Sequence, residues 1–242
     1  KSVFFFYEDR DAFNFVSFET LAKTKSYTTF YKSAKFGDDN IKNARVFSYL
    51  AGLQDFDVIK GTRYGAYSSS LMRYDVVSRR FDATVYSAKD FDQRTLNKNL
   101  MMNDSKNRLK ASLYESYLSA LRYVITYDSD PNSNPMQFEY WMGPTIAKMG
   151  QLTNYKMIGT VPGDVMLKAG AIISVEIPNF TAQDKKYEIN KFRSGRYIIS
   201  AIHHKFMGTQ FMTTMELLTD SVNSQIPTEQ SNSPELNEIK GI

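Results

Sequence analysis

The sequence predicts a mainly β fold that carries a helical insertion, an α+β class, and three observations favour it. The 242 residues include 17 Phe and 16 Tyr, and aromatic side chains suit the half-buried surface of a pleated sheet. Several segments alternate apolar and polar residues with a period of two, as strands with one solvated side do. One central stretch instead spaces its apolar residues by four, which indicates a helix.

The composition argues against several classes of protein. With no Cys, the chain offers no disulfide, no thiolate metal ligand and no cysteine nucleophile. Its 30 Lys plus Arg against 26 Asp plus Glu give a formal charge of +4, a balance too even to indicate a nucleic-acid binder. The longest apolar runs are far shorter than the ~18 residues that a membrane-spanning helix needs. We therefore expect no membrane-spanning segment and, in the resting state, no membrane as a partner.

The first predicted element is a strand over residues 2–7. Phe4 and Phe6 would lie on one of its faces and further apolar residues on the other. Because both faces are apolar, we expect both to be covered. The chain starts with Lys1 rather than Met, so we also expect a natural start upstream. A second short strand is predicted over residues 27–31.

Longer strands follow, and alternation is clearest in the third of them. Residues 46–53, 56–60, 64–78 and 81–87 are each predicted to be extended. The link between the last two is short enough for an antiparallel hairpin.

Residues 89–150 break this pattern and are predicted to be an inserted helical and loop region. A stripe of apolar residues spaced by four indicates one helix in it. A second helix is predicted from about residue 138 to 152, and Pro144 must then lie in its first turn or kink it. The stripe consists of Leu109, Leu113, Tyr117 and Leu121.

The last third returns to strands, at residues 155–161, 171–177, 196–206 and 210–218. The final two strands, joined by a short Gly-containing link, give the strongest hairpin signal in the chain. Residues 221–242 are polar with isolated apolar positions, and we expect this extended tail to dock on a partner. The candidate interface residues in the tail are Ile226, Pro227, Leu236, Ile239 and Ile242.

No catalytic constellation is visible in the sequence. His203 and His204 are adjacent in a predicted strand, so they point to opposite faces and cannot chelate one metal together. Glu8, Asp9 and Glu139 could be imagined as a glycosidase carboxylate pair, but no spacing singles them out. No Gly-x-Ser-x-Gly elbow and no phosphate-binding glycine loop occurs. We expect no enzymatic activity, no cofactor and no metal.

Basic residues cluster in the sequence between residues 79 and 110 and raise a nucleic-acid interpretation. The same span contains four Asp residues. An interleaved mixture of signs is more typical of a solvated face or a subunit contact than of a phosphate track. The basic residues are Arg79, Arg80, Lys89, Arg94, Lys98, Lys106, Arg108 and Lys110.

Several segments, in the same order along the chain, resemble the central baseplate hub proteins of contractile-tailed bacteriophages, which are related to the hub part of type VI secretion spike proteins. The start, FFFYEDRDAFNFVSFETL (residues 4–21), resembles a segment of that family. KMGQL (148–152) and MIGTVPGDVMLKAG (157–170) look like its helix, strand and turn leading into a barrel strand. SGRYIISAIHHKF (194–206), followed by residues 211–218, is similar to its closing hairpin.

The resemblance implies a tail-tube-like antiparallel β-barrel domain over residues 41–88 and 151–220, with the insertion at 89–150 inside it. Residues 1–40 would then end a preceding mixed α/β domain, and 221–242 would be the docking tail. It further implies a homotrimer in the virion, assembled in the host cytoplasm, that joins the tail tube to the threefold central spike. Baseplate wedge or sheath-side proteins are expected neighbours, and DNA only passes through the channel during genome ejection.

Two alternatives from other classes remain open. In a carbohydrate- or receptor-binding tail module, aromatic residues of 64–74 and 138–141 would stack on sugar rings. A cell-wall hydrolase would need a pair of carboxylates that the sequence does not identify.

Overall fold

A computed structural model describes residues 3–32, 45–54, 57–88, 95–100, 120–127, 138–153, 155–179 and 189–223. The fold is mainly β, with a curled sheet and few helices, as the sequence predicts. The strands are β1 Phe4–Glu8, β2 Phe13–Ser17, β3 Thr29–Lys32, β4 Val46–Phe47, β5 Tyr49–Gln54, β6 Ser68–Asp75, β7 Arg80–Ser87, β8 Asn99–Leu100, β9 Leu121–Thr126, β10 Tyr155–Pro162, β11 Ile172–Glu176, β12 Gly195–Met207, β13 Gln210–Thr219 and β14 Ser221–Val222. The helices are α1 Phe18–Lys23, α2 Val58–Tyr64 and α3 Phe138–Thr153.

The largest unit is a seven-stranded sheet in the order β4-β3-β11-β12-β13-β10-β5. Its first and last strands are consecutive in the chain and are separated by Ser48 alone. The backbone N–H of Ser48 donates to the carbonyl of Thr160 in β10 at 2.9 Å. The two outermost strands, β4 and β5, therefore belong to one bent stretch of chain, and the sheet curls back on itself.

Pairing in this sheet is antiparallel except at β3, which runs parallel to both β11 and β4. The predicted final hairpin is present as β12 and β13, paired from Ile198 opposite Leu218 to Met207 opposite Gln210, with a shift of register between Ile199 and Ala201. The core beneath the sheet is made of large apolar and aromatic side chains. They include Phe30, Met157, Ile173, Tyr197, Met215 and Leu217.

A separate three-stranded sheet, in the order β7-β6-β9, packs one of its faces on α3. Gly143 of α3 lies directly against Tyr86 of β7, where an added Cβ would come within 2.6 Å of the ring. That close approach needs glycine, and it lets the helix lie flat on the sheet. Pro144 lies inside α3, in its second turn, so of the two predicted placements the one in the first turn is wrong.

The prediction of a strand over residues 56–60 is wrong, because α2 begins at Val58. Asp57 caps this helix, its carboxylate accepting a hydrogen bond from the backbone N–H of Lys60. Gly65 ends it with a left-handed φ of 85°, a conformation that costs glycine little. The strand predicted over 64–78 is correspondingly shorter and begins at Ser68.

The strands group differently from the predicted segments. β3 lies in the seven-stranded sheet although residues 1–40 were assigned to a preceding domain. β6 and β7, assigned to the barrel, pair with each other and with β9, from the predicted insertion. The division into domains stays a prediction. The predicted helical stripe lies outside the described residues except for Leu121, which begins strand β9.

Among the described residues, no helix has both the length and the apolar character needed to cross a membrane.

Candidate assembly surfaces

The hairpin of β1 and β2 exposes four phenylalanine rings on one face, defined here as the four-phenylalanine face. Phe4 stacks on Phe15 at 5.0 Å between ring centroids, and Phe6 stacks on Phe13 at 5.9 Å. These side chains are between 51% and 71% exposed. The expectation that both faces of the first strand are covered is therefore wrong for this chain alone.

The opposite face of the hairpin packs on the rest of the molecule. Phe5, Tyr7 and Val16 lie against the core cluster that includes Phe18 of α1. The ring of Tyr7 lies against Gly170, where φ is +78° and an added Cβ would overlap it. The hairpin is thus seated on one side and uncovered on the other.

The turn of the hairpin is held by charged groups. One oxygen of Asp9 accepts backbone hydrogen bonds from Asp11 and Ala12, each at 2.8 Å. Its other oxygen lies 2.8 Å from the ammonium group of Lys168. That hydrogen bond from Lys168, together with the two backbone donors, holds the pKa of the Asp9 carboxyl far below its usual range. The guanidinium of Arg10 donates to the carbonyl of Val165 at 3.0 Å and fixes the same contact.

The three-stranded sheet has a second uncovered apolar face, defined here as the open sheet face. Phe81, Tyr74 and Ile125 form one row across the three strands, because Tyr74 is opposite both of the others. Met72 similarly lies between Ala83 and Tyr123. The exposed members of this face are Tyr74, Phe81, Val85, Tyr123 and Ile125, between 42% and 70% exposed.

A third apolar surface lies at the tip of the β12–β13 hairpin. Phe206 stacks on Phe211 at 4.2 Å and remains 70% exposed. His203 is exposed, whereas His204 is half-buried and shares a 2.9 Å hydrogen bond with the hydroxyl of Thr213. The two histidines occupy different environments on opposite faces of β12, as alternation along a strand predicts.

A buried ion pair joins α3 to the end of β13. The ammonium group of Lys148 lies 2.8 Å from Asp220 and 4.4 Å from the centroid of the Phe18 ring. Asp220 also accepts hydrogen bonds from the backbone N–H of Leu96 and from the hydroxyl of Ser221. This joint was missed by sequence reasoning, because Lys148 and Asp220 are 72 positions apart.

Most residues singled out for chemistry are not brought together. Asp9 is engaged by Lys168 rather than by a second carboxylate. The described part of the chain holds no group of three or more His, Asp or Glu residues suited to a metal ion. The aromatic residues considered for sugar stacking lie on different elements: Tyr64 on α2, Tyr74 on β6, and Trp141 with Phe138 on α3.

The candidate interface residues of the tail lie outside the described residues, as do several of the clustered basic residues. Arg79 and Arg80 are exposed, and Arg80 pairs with Asp82 at 3.2 Å. The tail residues are Ile226, Pro227, Leu236, Ile239 and Ile242. The basic residues outside the described ranges are Lys89, Arg94, Lys106, Arg108 and Lys110.

Comparisons with known proteins find similarity only among solved structures. No protein-family model and no curated protein matches the chain. It is similar to a tail protein from Neisseria meningitidis MC58, at 11% identity over 81% of this chain and 45% of that one, with a TM-score of 0.32. It is also similar to the 43 kDa tail protein of prophage MuSo2 from Shewanella oneidensis, at 9% identity over 84% of this chain and 45% of that one, with a TM-score of 0.33. The chain spans about half the length of these two tail proteins.

Proposed function

We propose that this chain is a structural virion protein, part of the central hub of a phage tail baseplate that joins the tail tube to the threefold spike. In this proposal three copies surround a channel through which DNA passes, and neither catalysis nor a cofactor is involved. Its partners are further copies of itself, the tail tube protein, the central spike protein and baseplate wedge or sheath-side proteins. The sequence resemblance over residues 4–21, 148–170 and 194–218 supports this family.

The observation that carries the proposal is the amount of apolar side chain that the chain leaves uncovered on separate surfaces. The four-phenylalanine face, the open sheet face and the tip with Phe206 each expose large aromatic groups. Monomeric soluble proteins rarely leave several such patches open, and large ones mark contacts with other molecules. A protein with neighbours on several sides fits this pattern better than one with a single pocket does.

The charge pattern is compatible with a channel wall that lets DNA through. Each Lys or Arg that binds a phosphate adds salt-dependent affinity, and a continuous basic track would slow passage. In this chain cations are interleaved with acids, as in the pairs Arg73–Asp82 and Lys156–Glu216, at 2.8 and 2.9 Å. A surface of mixed sign holds phosphate weakly.

The test is to localise the protein in the particle and to measure its mass in solution. An epitope tag on the full-length protein, detected by antibody in electron micrographs of purified virions, should mark the junction of tail tube and spike. Light scattering of the purified protein at several concentrations should give a concentration-independent trimer. A tag on distal fibres, a monomer in solution, or glycan-array binding that is lost on Trp141→Ala would overturn the hub in favour of a carbohydrate- or receptor-binding module.

A further inference from the structure

Two of the uncovered surfaces, the four-phenylalanine face and the open sheet face, are both apolar. We propose that copies of this chain associate by packing one of these faces on the other. The four-phenylalanine face of one copy packs on the open sheet face of the next, in a head-to-tail contact. This inference rests on the proposed function only in that it takes the copies to associate, and it names the residues through which they do so.

The inner side of each of these two sheets already packs on other parts of the chain. The inner side of the β1–β2 hairpin is occupied by the core cluster with Phe18. The inner side of the three-stranded sheet is occupied by α3, whose Gly143 touches Tyr86. α3 also lies between the two units, since Met149 and Leu152 near its end line the apolar cleft beneath the hairpin. Among the described residues no element covers either outer face, and the partner proposed for each is a second copy of this chain.

The areas of the two faces together reach the lower limit for a specific contact. With about 150–250 Å² per aromatic side chain, the four rings at their observed exposure present on the order of 500 Å². The five exposed residues of the open sheet face present roughly the same or somewhat more on that scale. Together the two faces would bury about 1,000 Å² in one contact, the size at which a biological interface becomes credible.

The chemistry of the two faces also fits. The three rows of the open sheet face, from Phe81–Tyr74–Ile125 to Val85–Ser70–Leu121, contain no charged residue. The four-phenylalanine face is uncharged apart from Glu8, which lies opposite Phe13 at the turn end. Two sheets that meet through apolar side chains pack about 10 Å apart, and aromatic rings fill that spacing. The polar groups on the two faces are the hydroxyls of Tyr74, Tyr123 and Ser70 on one and the carboxylate of Glu8 on the other.

A contact between the two different faces is favoured over a symmetric contact between two identical faces, because the symmetric contact leaves the other apolar face of each copy exposed. If two hairpin faces met each other in a symmetric dimer, both open sheet faces would remain exposed. A heterologous contact uses one face from each copy, so a closed ring covers every copy of both faces with one kind of contact. In the proposed hub the ring would close at three copies.

The experiment uses two double variants of the full-length protein and one control. Phe6→Ser/Phe15→Ser alters the hairpin face, and Tyr123→Ser/Ile125→Ser alters the sheet face. The control is Phe206→Ser, which removes an equally exposed ring from the β12–β13 tip. Because all five side chains are mostly exposed, the variants should fold, which far-ultraviolet circular dichroism and thermal unfolding check.

Analytical ultracentrifugation should show an oligomer for the natural protein and for the control, and at least tenfold weaker association for each double variant. An equimolar mixture of the two double variants should form a heterodimer that neither forms alone, because one supplies an intact sheet face and the other an intact hairpin face. A natural protein that is monomeric, double variants that keep the oligomer, or a mixture that forms no heterodimer would each overturn the inference. Tail localisation of the tagged protein reads out the proposed function separately, so an oligomer held by other residues would reject only this contact.

Discussion

The ammonium group of Lys148 and a carboxylate oxygen of Asp220 lie 2.8 Å apart, with 3% and 0% of the two side chains exposed. This pair fastens α3 to the end of β13, at the point where the chain passes from the seven-stranded sheet into β14. Removing one member leaves the other charged and buried.

We expect Lys148→Met or Asp220→Asn to lower the free energy of unfolding by about 3–5 kcal/mol, since an uncompensated buried charge or polar group remains. Urea unfolding followed by fluorescence measures this. The matched control is the exposed pair of Arg10 and Asp11, where Asp11→Asn should change stability far less, because both side chains are exposed to water. Equal effects at the two pairs would contradict the assigned role of burial.

Gly170 is a position where any larger residue should be costly. It combines a left-handed φ of +78° with a Cβ direction that runs into the Tyr7 ring. Gly208 provides the control, since its φ is +56° and nothing lies within 4 Å of an added Cβ. Gly208→Ala should cost about 1–2 kcal/mol from backbone strain, and Gly170→Ala a further 1–3 kcal/mol, roughly, from overpacking. Adding Tyr7→Ala to Gly170→Ala should relieve the clash, and thermal unfolding that ranks the variants otherwise would count against it.

The contact of Asp9 with Lys168 should make the stability of the hairpin depend on pH. Because the pKa of Asp9 is lower in the folded than in the unfolded chain, its contribution is present above the unfolded pKa, about 4, and is lost as the pH falls towards the folded pKa. The difference in thermal midpoint between the natural protein and Asp9→Asn should therefore be largest between pH 5 and 8, roughly, and should shrink below about pH 4.

Lys168→Met should follow the same pH dependence, because it removes the partner of the same carboxylate. A midpoint difference that stays constant down to pH 2, about two units below the ordinary Asp pKa, would show that the ion pair contributes nothing.

The tail should separate into a stabilising part and a docking part. Val222 of β14 is 2% exposed, and Ser221 accepts a hydrogen bond from the backbone N–H of Asn97 at 2.7 Å. A chain ending after Asp220 should lose about 1.5–3 kcal/mol, the contribution of burying one large apolar side chain. A chain ending after Asn223 should keep its stability and lose spike attachment in a co-purification assay. Retained attachment would remove Ile226, Pro227, Leu236, Ile239 and Ile242 from the interface.

The alternation of apolar and polar residues predicted strands that have one apolar and one polar face. It failed where a helix is marked only by single residues at its two ends. The hairpin of β12 and β13 was predicted within one residue at all four of its ends, because alternation and a Gly-containing link coincide there. The strand predicted over residues 56–60 is wrong, because a helix begins at Val58. The helix that occupies that place is marked only by Asp57 at its start and Gly65 at its end, which are weaker signals than a long amphipathic pattern.

The surfaces could be predicted only in part, for a different reason. The pattern of β1 predicts cover on both faces, whereas Phe4 and Phe6 are exposed in this chain alone, because alternation cannot show whether the cover comes from the same chain. Tyr74, Phe81 and Ile125 meet in one row only because β9 pairs parallel to β6, and the paired residues of these two strands are 51 positions apart in the sequence. Contacts of that range carry no local signature.

The single residue Ser48 between β4 and β5 has a mechanical consequence. Because the two outermost positions of the seven-stranded order belong to one covalent stretch, a tensile load on one end is carried by peptide bonds to the other. Peeling a strand from an ordinary open sheet breaks hydrogen bonds one at a time from a free edge. Here an outer strand cannot be peeled away without pulling its neighbour at the far end with it, so the curled sheet should yield to force as a unit rather than strand by strand.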